Sequence, residues 1–335
     1  MVKVNCYAAF EAKGRLLPHK FDKPKLAPHE IEIAITHCGI CHSDVHLIDG
    51  DWGEQEWPLI PGHEIVGTVA ALGDEVAHLK KGDRVGVGWQ AGSCHQCEWC
   101  SIGEEQHCSE NQATCVGRPG GYAKSLFVDA GFAFPIPDAL DSENAAPLLC
   151  GGITVYTPLR NYGIEPHMKV GVVGIGGLGH LAVQFAAAFG CEVTAFSRTR
   201  AKEQEAYGFG AHRFVATGEE GWADAENGMH DAILSTVSGD LDWSSFIKIL
   251  RPKGKLICLG ASQNSIGVNG IDLIVGGKSV CGSAIGGSKL IREMLEFSAR
   301  HGIVAKTETV PMSEVNYAVD KTRRNEARYR MVLAN

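Results

Sequence analysis

Four cysteines crowd into fifteen positions of this chain, as Cys94-x2-Cys97-x2-Cys100-x7-Cys108, in a loop that also holds Ser93, His95, Gln96, Glu98 and Glu104. Four thiolates within one short loop suit the tetrahedral site that zinc accepts from sulfur ligands. Their even spacing and polar setting do not resemble core packing. A closed tetrathiolate site leaves no vacant position, so this ion is expected to brace a loop and perform no chemistry. His95 and His107 adjoin the cluster and, with four thiolates present, are expected to face solvent.

Catalysis must then lie elsewhere. Cys38-Gly-Ile-Cys41-His42-Ser43-Asp44-Val45-His46 is followed by Gly62-His63-Glu64 and, much later, by Cys150 in Pro147-Leu-Leu-Cys-Gly-Gly. A CxxC pair alone serves equally as a redox pair or a metal hairpin, and an isolated His-Glu pair is usually surface. Together the pieces offer two thiolates and one imidazole with a fourth position open, which is what a catalytic zinc requires. A third motif, Gly174-x-Gly176-x-x-Gly179, follows the apolar run Lys169 to Val173 and precedes an amphipathic stretch. Glycines there let the backbone approach a pyrophosphate, and a helix N-terminus stabilises its charge.

These groups need elements to hold them. Ile31, Ile33 and Ile35 alternate with polar residues, and Val/Ile-rich runs recur at Ile65 to Ala71 and Arg84 to Val87, bounded by Pro61-Gly62, Gly73-Asp74 and Gly82-Asp83. The pattern predicts a mainly β first third with no helix-length periodic segment until past Ser142. After Cys150 the texture becomes strand alternating with helix: Val170 to Val173, Leu178 to Phe189, Val193 to Phe196, Lys202 to Tyr207, Asp231 to Thr236, Leu241 to Leu250 and Lys255 to Leu259. That is βαβ rhythm. Helices are expected again around Leu290 to Phe297 and Ser313 to Arg323. The expected order is a β-rich domain over 1–149, a dinucleotide-type domain over 150–285, and a return segment over 286–335 that packs back on the first.

At 335 residues two domains are the natural expectation, and 44% hydrophobic with 21% charged residues is the balance of an ordinary globular enzyme. A net charge of -8 and the absence of any long Lys/Arg run argue against a nucleic-acid partner. No apolar run reaches membrane length, and Met1 to Phe10 does not read as a signal peptide, so the expected setting is cytoplasmic. Twelve cysteines in such a chain suggest ligands and core thiols rather than disulfides, with Cys6, Cys191, Cys258 and Cys281 as the core ones.

The run Cys38 to His46, the stretch Gly62-His-Glu-Ile-Val-Gly-Thr-Val-Ala-Ala-Leu-Gly73, the cysteine loop and Gly174-Ile-Gly-Gly-Leu-Gly179, in that order, resemble the zinc alcohol dehydrogenases over nearly the whole chain. Cys150-Gly-Gly-Ile-Thr-Val-Tyr156 and the ending Arg328-Tyr-Arg-Met-Val-Leu333 resemble the cinnamyl-alcohol-dehydrogenase-like group, which includes bacterial broad-range aldehyde reductases. The resemblance implies an α/β fold, a Rossmann doubly wound parallel sheet inserted in a β-rich GroES-like catalytic domain. It implies catalytic zinc on Cys41, His63 and Cys150, with Cys38 no ligand. Glu64 would approach the metal during ligand exchange, or otherwise form an ordinary salt bridge, and Asp44 would orient His63. Ser43 would touch the substrate oxygen and His46 would exchange the proton with solvent. His42 would face the cofactor diphosphate or solvent. Two zinc ions per chain and a homodimer through the edge near Ser279 to Ser283 follow from the same likeness.

Where NAD enzymes usually present a carboxylate to the adenosine ribose, this chain has Ser197-Arg198-Thr199-Arg200 with Lys202 following. Small hydroxyls and cations fit a 2'-phosphate, so NADP(H) is expected, with Arg198 the main contact and Arg200 open to solvent. Further cofactor contacts implied by the likeness are Thr154, Gly177 and Leu178 in the glycine turn, Thr236, Val237, Gly260, Ser283 and Ile285. Strand ends support Thr236 and Gly260 independently. Trp52, Trp57, Trp89 and Ile285 would line a substrate channel, although core packing accounts for tryptophans equally well. The expected reaction is hydride transfer between NADP(H) and a primary alcohol/aldehyde pair, aromatic or medium-chain aliphatic. The alternatives are an NAD-dependent polyol or sugar-alcohol dehydrogenase and, in another class, a non-catalytic zinc-stapled nucleotide-sensing protein.

Overall fold

The computed structural model describes residues 2–261 and 265–335. They fall into two units, one comprising the chain to Ile153 and again from Gly286 to Asn335, the other Thr154–Ile285. Cys150 therefore belongs to the first unit.

The alternation at Ile31, Ile33 and Ile35 builds the strand Glu30–Ile40, and all three side chains are buried. Burial of each such side chain is worth about 1.5–3 kcal/mol. Among the described residues this strand lies inside a seven-stranded sheet in the order Thr307–Pro311, Arg330–Ala334, Glu30–Ile40, Glu64–Leu72, Arg84–Val87, Phe134–Pro135, with Ser125–Asp129 also paired to Glu30–Ile40. Register matters for the site: Gly39 faces Glu64 on one side, and Ile40 faces Met331 on the other. The C-terminal strand is thus built into the sheet beside the residues that precede Cys41.

A short helix spans His42–Asp49 within the third expected to be mainly β. Cys41 is its N-cap, Asp44 Oδ2 accepts from the Cys41 N–H at 2.9 Å, and Gly50 ends it at φ 76°. Eight residues make little more than two turns, and His42, Ser43, Asp44 and His46 interrupt the apolar face of Val45, Leu47 and Ile48. So short a segment carries no clear period. A second short helix, Glu98–Ile102, lies within the cysteine loop and buries none of its residues.

In the second unit six parallel strands run in the order Arg213–Ala216, Glu192–Ser197, Lys169–Val173, His230–Ser235, Leu250–Cys258, Ser279–Gly282 among the described residues. Numbered along the chain, that is 3-2-1-4-5-6, the Rossmann order. The turn after Lys169–Val173 depends on glycine twice. Gly174 has φ +86°, and a Cβ on Gly179 would lie 1.7 Å from the Gly174 carbonyl oxygen. The helix Gly179–Ala188 then buries Leu181, Val183 and Phe185.

The lone cysteines are not alike. Cys6 and Cys191 are buried, whereas Cys258 and Cys281 are only half-buried because they sit on the last two strands at the sheet edge. Among the described residues no helix is long and apolar enough to cross a membrane.

Candidate metal centres and active site

Cys94, Cys97, Cys100 and Cys108 converge, with Sγ separations of 3.5 Å for Cys97–Cys100, 3.5 Å for Cys94–Cys108 and 3.9 Å for Cys94–Cys100. A zinc–sulfur bond of about 2.3 Å in a tetrahedron requires sulfur atoms about 3.8 Å apart. The donor set and its spacing therefore fit zinc. Backbone N–H groups of Gln96 and Cys97 pull the Cys94 thiol down to about 7, toward the thiolate a metal needs. His95 and His107 are exposed, and His95 pairs with Asp129 at 2.6 Å.

A second group brings Cys41, His63, Glu64 and Cys150 together. His63 Nε2 lies 3.2 Å from Cys150 Sγ, and Cys150 Sγ lies 3.9 Å from Cys41 Sγ. Asp44 ties this group from behind: Oδ1 accepts from His63 Nδ1 at 2.8 Å and from the Gly62 N–H at 3.0 Å, while Oδ2 holds the Cys41 N–H. His63 must then point Nε2 at the thiols. Burial disfavours charge on His63, but Asp44 and Cys150 outweigh it and hold its pKa well above the usual range. Two thiolates and one imidazole fit zinc with a fourth position left open, and the Glu64 carboxylate stands beside it for exchange.

Glu64 is fully buried, and its two oxygens differ. Oε1 is paired with Arg330, while Oε2 has no hydrogen-bond partner. An orphaned buried carboxylate oxygen beside two thiols and an imidazole is a second sign of a cation's place. Burial pushes the Glu64 carboxyl up to about 7, with Arg330 acting in the opposite direction.

Ser43 and His46 stand on the same helix as Asp44. Ser43 Oγ is 3.6 Å from Cys41 Sγ. His46 Nδ1 meets Asp51 Oδ2 at 2.8 Å, and its ring stacks on Trp52 at 5.1 Å. Trp52 in turn meets Trp89 edge-on, and Trp89 meets the His63 ring at 4.9 Å. Trp52 and Trp89 thus form one aromatic surface from His46 to His63. Trp57 and Trp89 both pack against the core of the unit, Trp57 without a ring contact to either histidine among the described residues, and Ile285 belongs to the other unit. His42 is half-buried.

In the second unit, Gly174 to Gly179, Thr236, Val237, Gly260 and Ser283 follow the C-terminal ends of the parallel strands and Ser197 is the last residue of one, at the edge where such sheets bind nucleotides. Thr236 Oγ1 donates to the Val173 and Gly174 carbonyls, bracing the glycine turn. Lys202 Nζ donates to the Ile175 carbonyl at 2.7 Å, which brings a cation against that turn. Arg198 and Thr199 are exposed. Arg200 is committed to Glu203 and Glu219 at 3.0 and 2.7 Å, so it is not simply open to solvent. Gly177 and Leu178 lie in the turn itself, and Thr154 is the first residue of this unit.

Sequence reasoning missed Arg330, Asp51 and Cys115. Cys115 is fully buried and lies with Asp44 and His63 on the far side of the imidazole. Asp51 was detectable, because it is a carboxylate only 5 positions from His46.

Comparison with known proteins agrees with this geometry. Residues 27–138 match the alcohol dehydrogenase GroES-like domain, and residues 177–300 match the zinc-binding dehydrogenase family. The chain is 41% identical over 333 residues to an aldehyde reductase from Synechocystis, covering 99% of both chains. It is similar to the structure of a cinnamyl alcohol dehydrogenase from Sorghum bicolor, with a TM-score of 0.95, 37% identity and coverage of 99% and 98%. It is also similar to a Helicobacter pylori enzyme of that type complexed with NADP(H), with a TM-score of 0.92, 33% identity and the same coverage. The chain belongs to the zinc-dependent medium-chain dehydrogenase superfamily, in its cinnamyl-alcohol-dehydrogenase-like branch, and is an NAD(P)-dependent oxidoreductase of alcohol and aldehyde substrates.

Proposed function

We propose that this enzyme reduces aromatic and medium-chain aliphatic aldehydes to primary alcohols with NADPH. The observation that carries the reading is the buried group of Cys41, His63 and Cys150 with the unpaired Glu64 Oε2, beside Ser43 and His46 on one helix. When bound, zinc there supplies Lewis acidity toward a carbonyl oxygen, and the nicotinamide supplies hydride.

The chain's own residues supply position and a proton. Ser43, whose Oγ lies 3.6 Å from Cys41 Sγ, would donate its O–H to the oxygen of the substrate. His46 has the solvent access needed to replace that proton, with its side chain 20% exposed. Asp51 takes the Nδ1–H of His46, which leaves Nε2 free to exchange a proton. Asp44 holds His63 and the backbone of Cys41 in one frame, so two proposed ligands share a single support. Trp52 and Trp89 offer planar apolar surface, which favours aromatic and aliphatic aldehydes over polyols.

NADPH is favoured over NADH because the strand Glu192–Ser197 ends without a carboxylate and exposed Arg198 follows it. The Helicobacter pylori relative complexed with NADP(H) supports the same choice. The double variant Ser197→Asp, Arg198→Ala is expected to lower kcat/KM for NADPH by roughly 10–100-fold, since a charge-assisted hydrogen bond is worth about 1.5–3 kcal/mol, and to improve the value for NADH. An unchanged NADPH/NADH ratio in steady-state assays rejects the assignment.

A further inference from the structure

The loop that carries the four cysteines reaches beyond its own metal. Between Cys100 and Cys108 the chain turns through Glu105–His107, and the Glu105 side chain is buried. Its carboxylate grips a residue 183 positions further on: Oε2 accepts from the Ser288 N–H at 2.8 Å, and Oε1 accepts from the Ser288 hydroxyl at 2.7 Å. Ser288 opens the 14-residue helix Ser288–His301, whose N-cap is Gly287. Glycine has no side chain to satisfy the first free N–H groups, so Glu105 performs that task from outside the helix. Its negative charge also stands at the positive end of the helix.

Further contacts fix the same point. Buried Gln90 donates from Nε2 to the Gly286 carbonyl at 3.2 Å, and Asn111 Nδ2 donates to Gln90 Oε1 at 3.0 Å and to the Glu105 carbonyl at 2.8 Å. The approach leaves no room for a larger residue. A Cβ on Gly287 would lie 2.1 Å from the Gly103 carbonyl oxygen and 2.6 Å from Glu105 Oε2.

Gly286 is where the chain re-enters the first unit from the second. Immediately before it come Ser283 and Ile285, which the family likeness implies as cofactor contacts. We propose that Glu105 is a positioning residue for the dinucleotide: it pins Gly286 to Ser288 to the tetrathiolate loop and thereby fixes the backbone of residues 283–285. The inference rests on the dinucleotide reading of the second unit. It gives the non-catalytic metal site a consequence for cofactor affinity, because the metal orders the loop that carries Glu105.

The test compares wild type, Glu105→Ala, Glu105→Gln and Gly287→Ala, all zinc-replete, by calorimetric titration with NADPH and with NADH, alongside zinc analysis. The expected result is an NADPH Kd raised roughly tenfold in Glu105→Ala and Gly287→Ala, within the range usual for coupled sites. Both variants should retain the zinc content of wild type. Glu105→Gln, which keeps an acceptor for the Ser288 N–H, should recover most of the affinity. Gly287→Ala alters no residue of the metal loop, so a wild-type Kd in that variant with zinc retained overturns the proposal, even where Glu105→Ala has lost metal. A wild-type protein that binds neither nucleotide refutes the dinucleotide reading instead. Hydrogen exchange without nucleotide then decides: faster exchange over residues 283–287 in Gly287→Ala supports the positioning role, and unchanged exchange overturns it.

Discussion

Cys41→Ser is expected to abolish turnover while leaving a folded protein. Serine is a poor ligand for zinc, and Cys41 is one of the three proposed donors, beside a Glu64 carboxylate that already shares its charge with Arg330. Even disturbing a residue that orients a ligand costs about 10–100-fold in metal affinity, so losing a ligand costs more. Zinc analysis should fall from about two ions per chain to about one. Without the Lewis acid, kcat/KM should drop by roughly a thousandfold or more. The fold should survive, because Cys41 contributes little apolar burial beside the core of Ile31, Ile33, Ile65 and Leu333. Two zinc ions retained in Cys41→Ser, with activity intact, would place the chemistry elsewhere.

Cys97→Ser should produce the opposite pattern. The helix Glu98–Ile102 buries none of its residues, and within the loop only Glu105 and Cys108 are buried. A segment with so little core depends on its metal, and structural zinc contributes on the order of 10 kcal/mol of folding free energy in small zinc modules. Zinc should again fall to about one per chain, now with the Cys41, His63 and Cys150 group still loaded. Limited proteolysis should cut within residues 94–108, and the apparent Tm should fall, by about 2–4 °C for each 1 kcal/mol of stabilisation lost from a unit of this size. A protease-resistant loop after metal loss would show that packing, not zinc, orders it.

What the sequence made legible were groups whose chemistry coincides with chain neighbourhood. The four cysteines of the loop and the glycines Gly174, Gly176 and Gly179 are adjacent both in sequence and in space, so spacing alone carries the inference. Cys41, His63 and Cys150 are further apart, and the family likeness was needed to join them. Arg330 lies 266 positions from Glu64, and only the register of the C-terminal strand against Glu30–Ile40 brings the two together. Glu105 and Ser288 are likewise joined by a helix start that no local pattern marks. The helix His42–Asp49 escaped because its apolar residues are too few to show a period, although Asp44, which closes its first turn on the Cys41 N–H, is singled out by the likeness for orienting His63. The aromatic surface was half-legible. Trp52 and Trp89 meet His46 and His63, and core packing accounts for Trp57 and for part of Trp89.

Steady-state reduction of benzaldehyde and hexanal by the zinc-replete enzyme, each with NADPH and with NADH, tests the central claim most directly. Aldehyde-dependent oxidation of NADPH is expected with both substrates, with kcat/KM at least about tenfold above that for NADH, the ratio that 1.4 kcal/mol of differential binding produces. A metal-replete protein that oxidises neither nucleotide in the presence of either aldehyde would contradict the account.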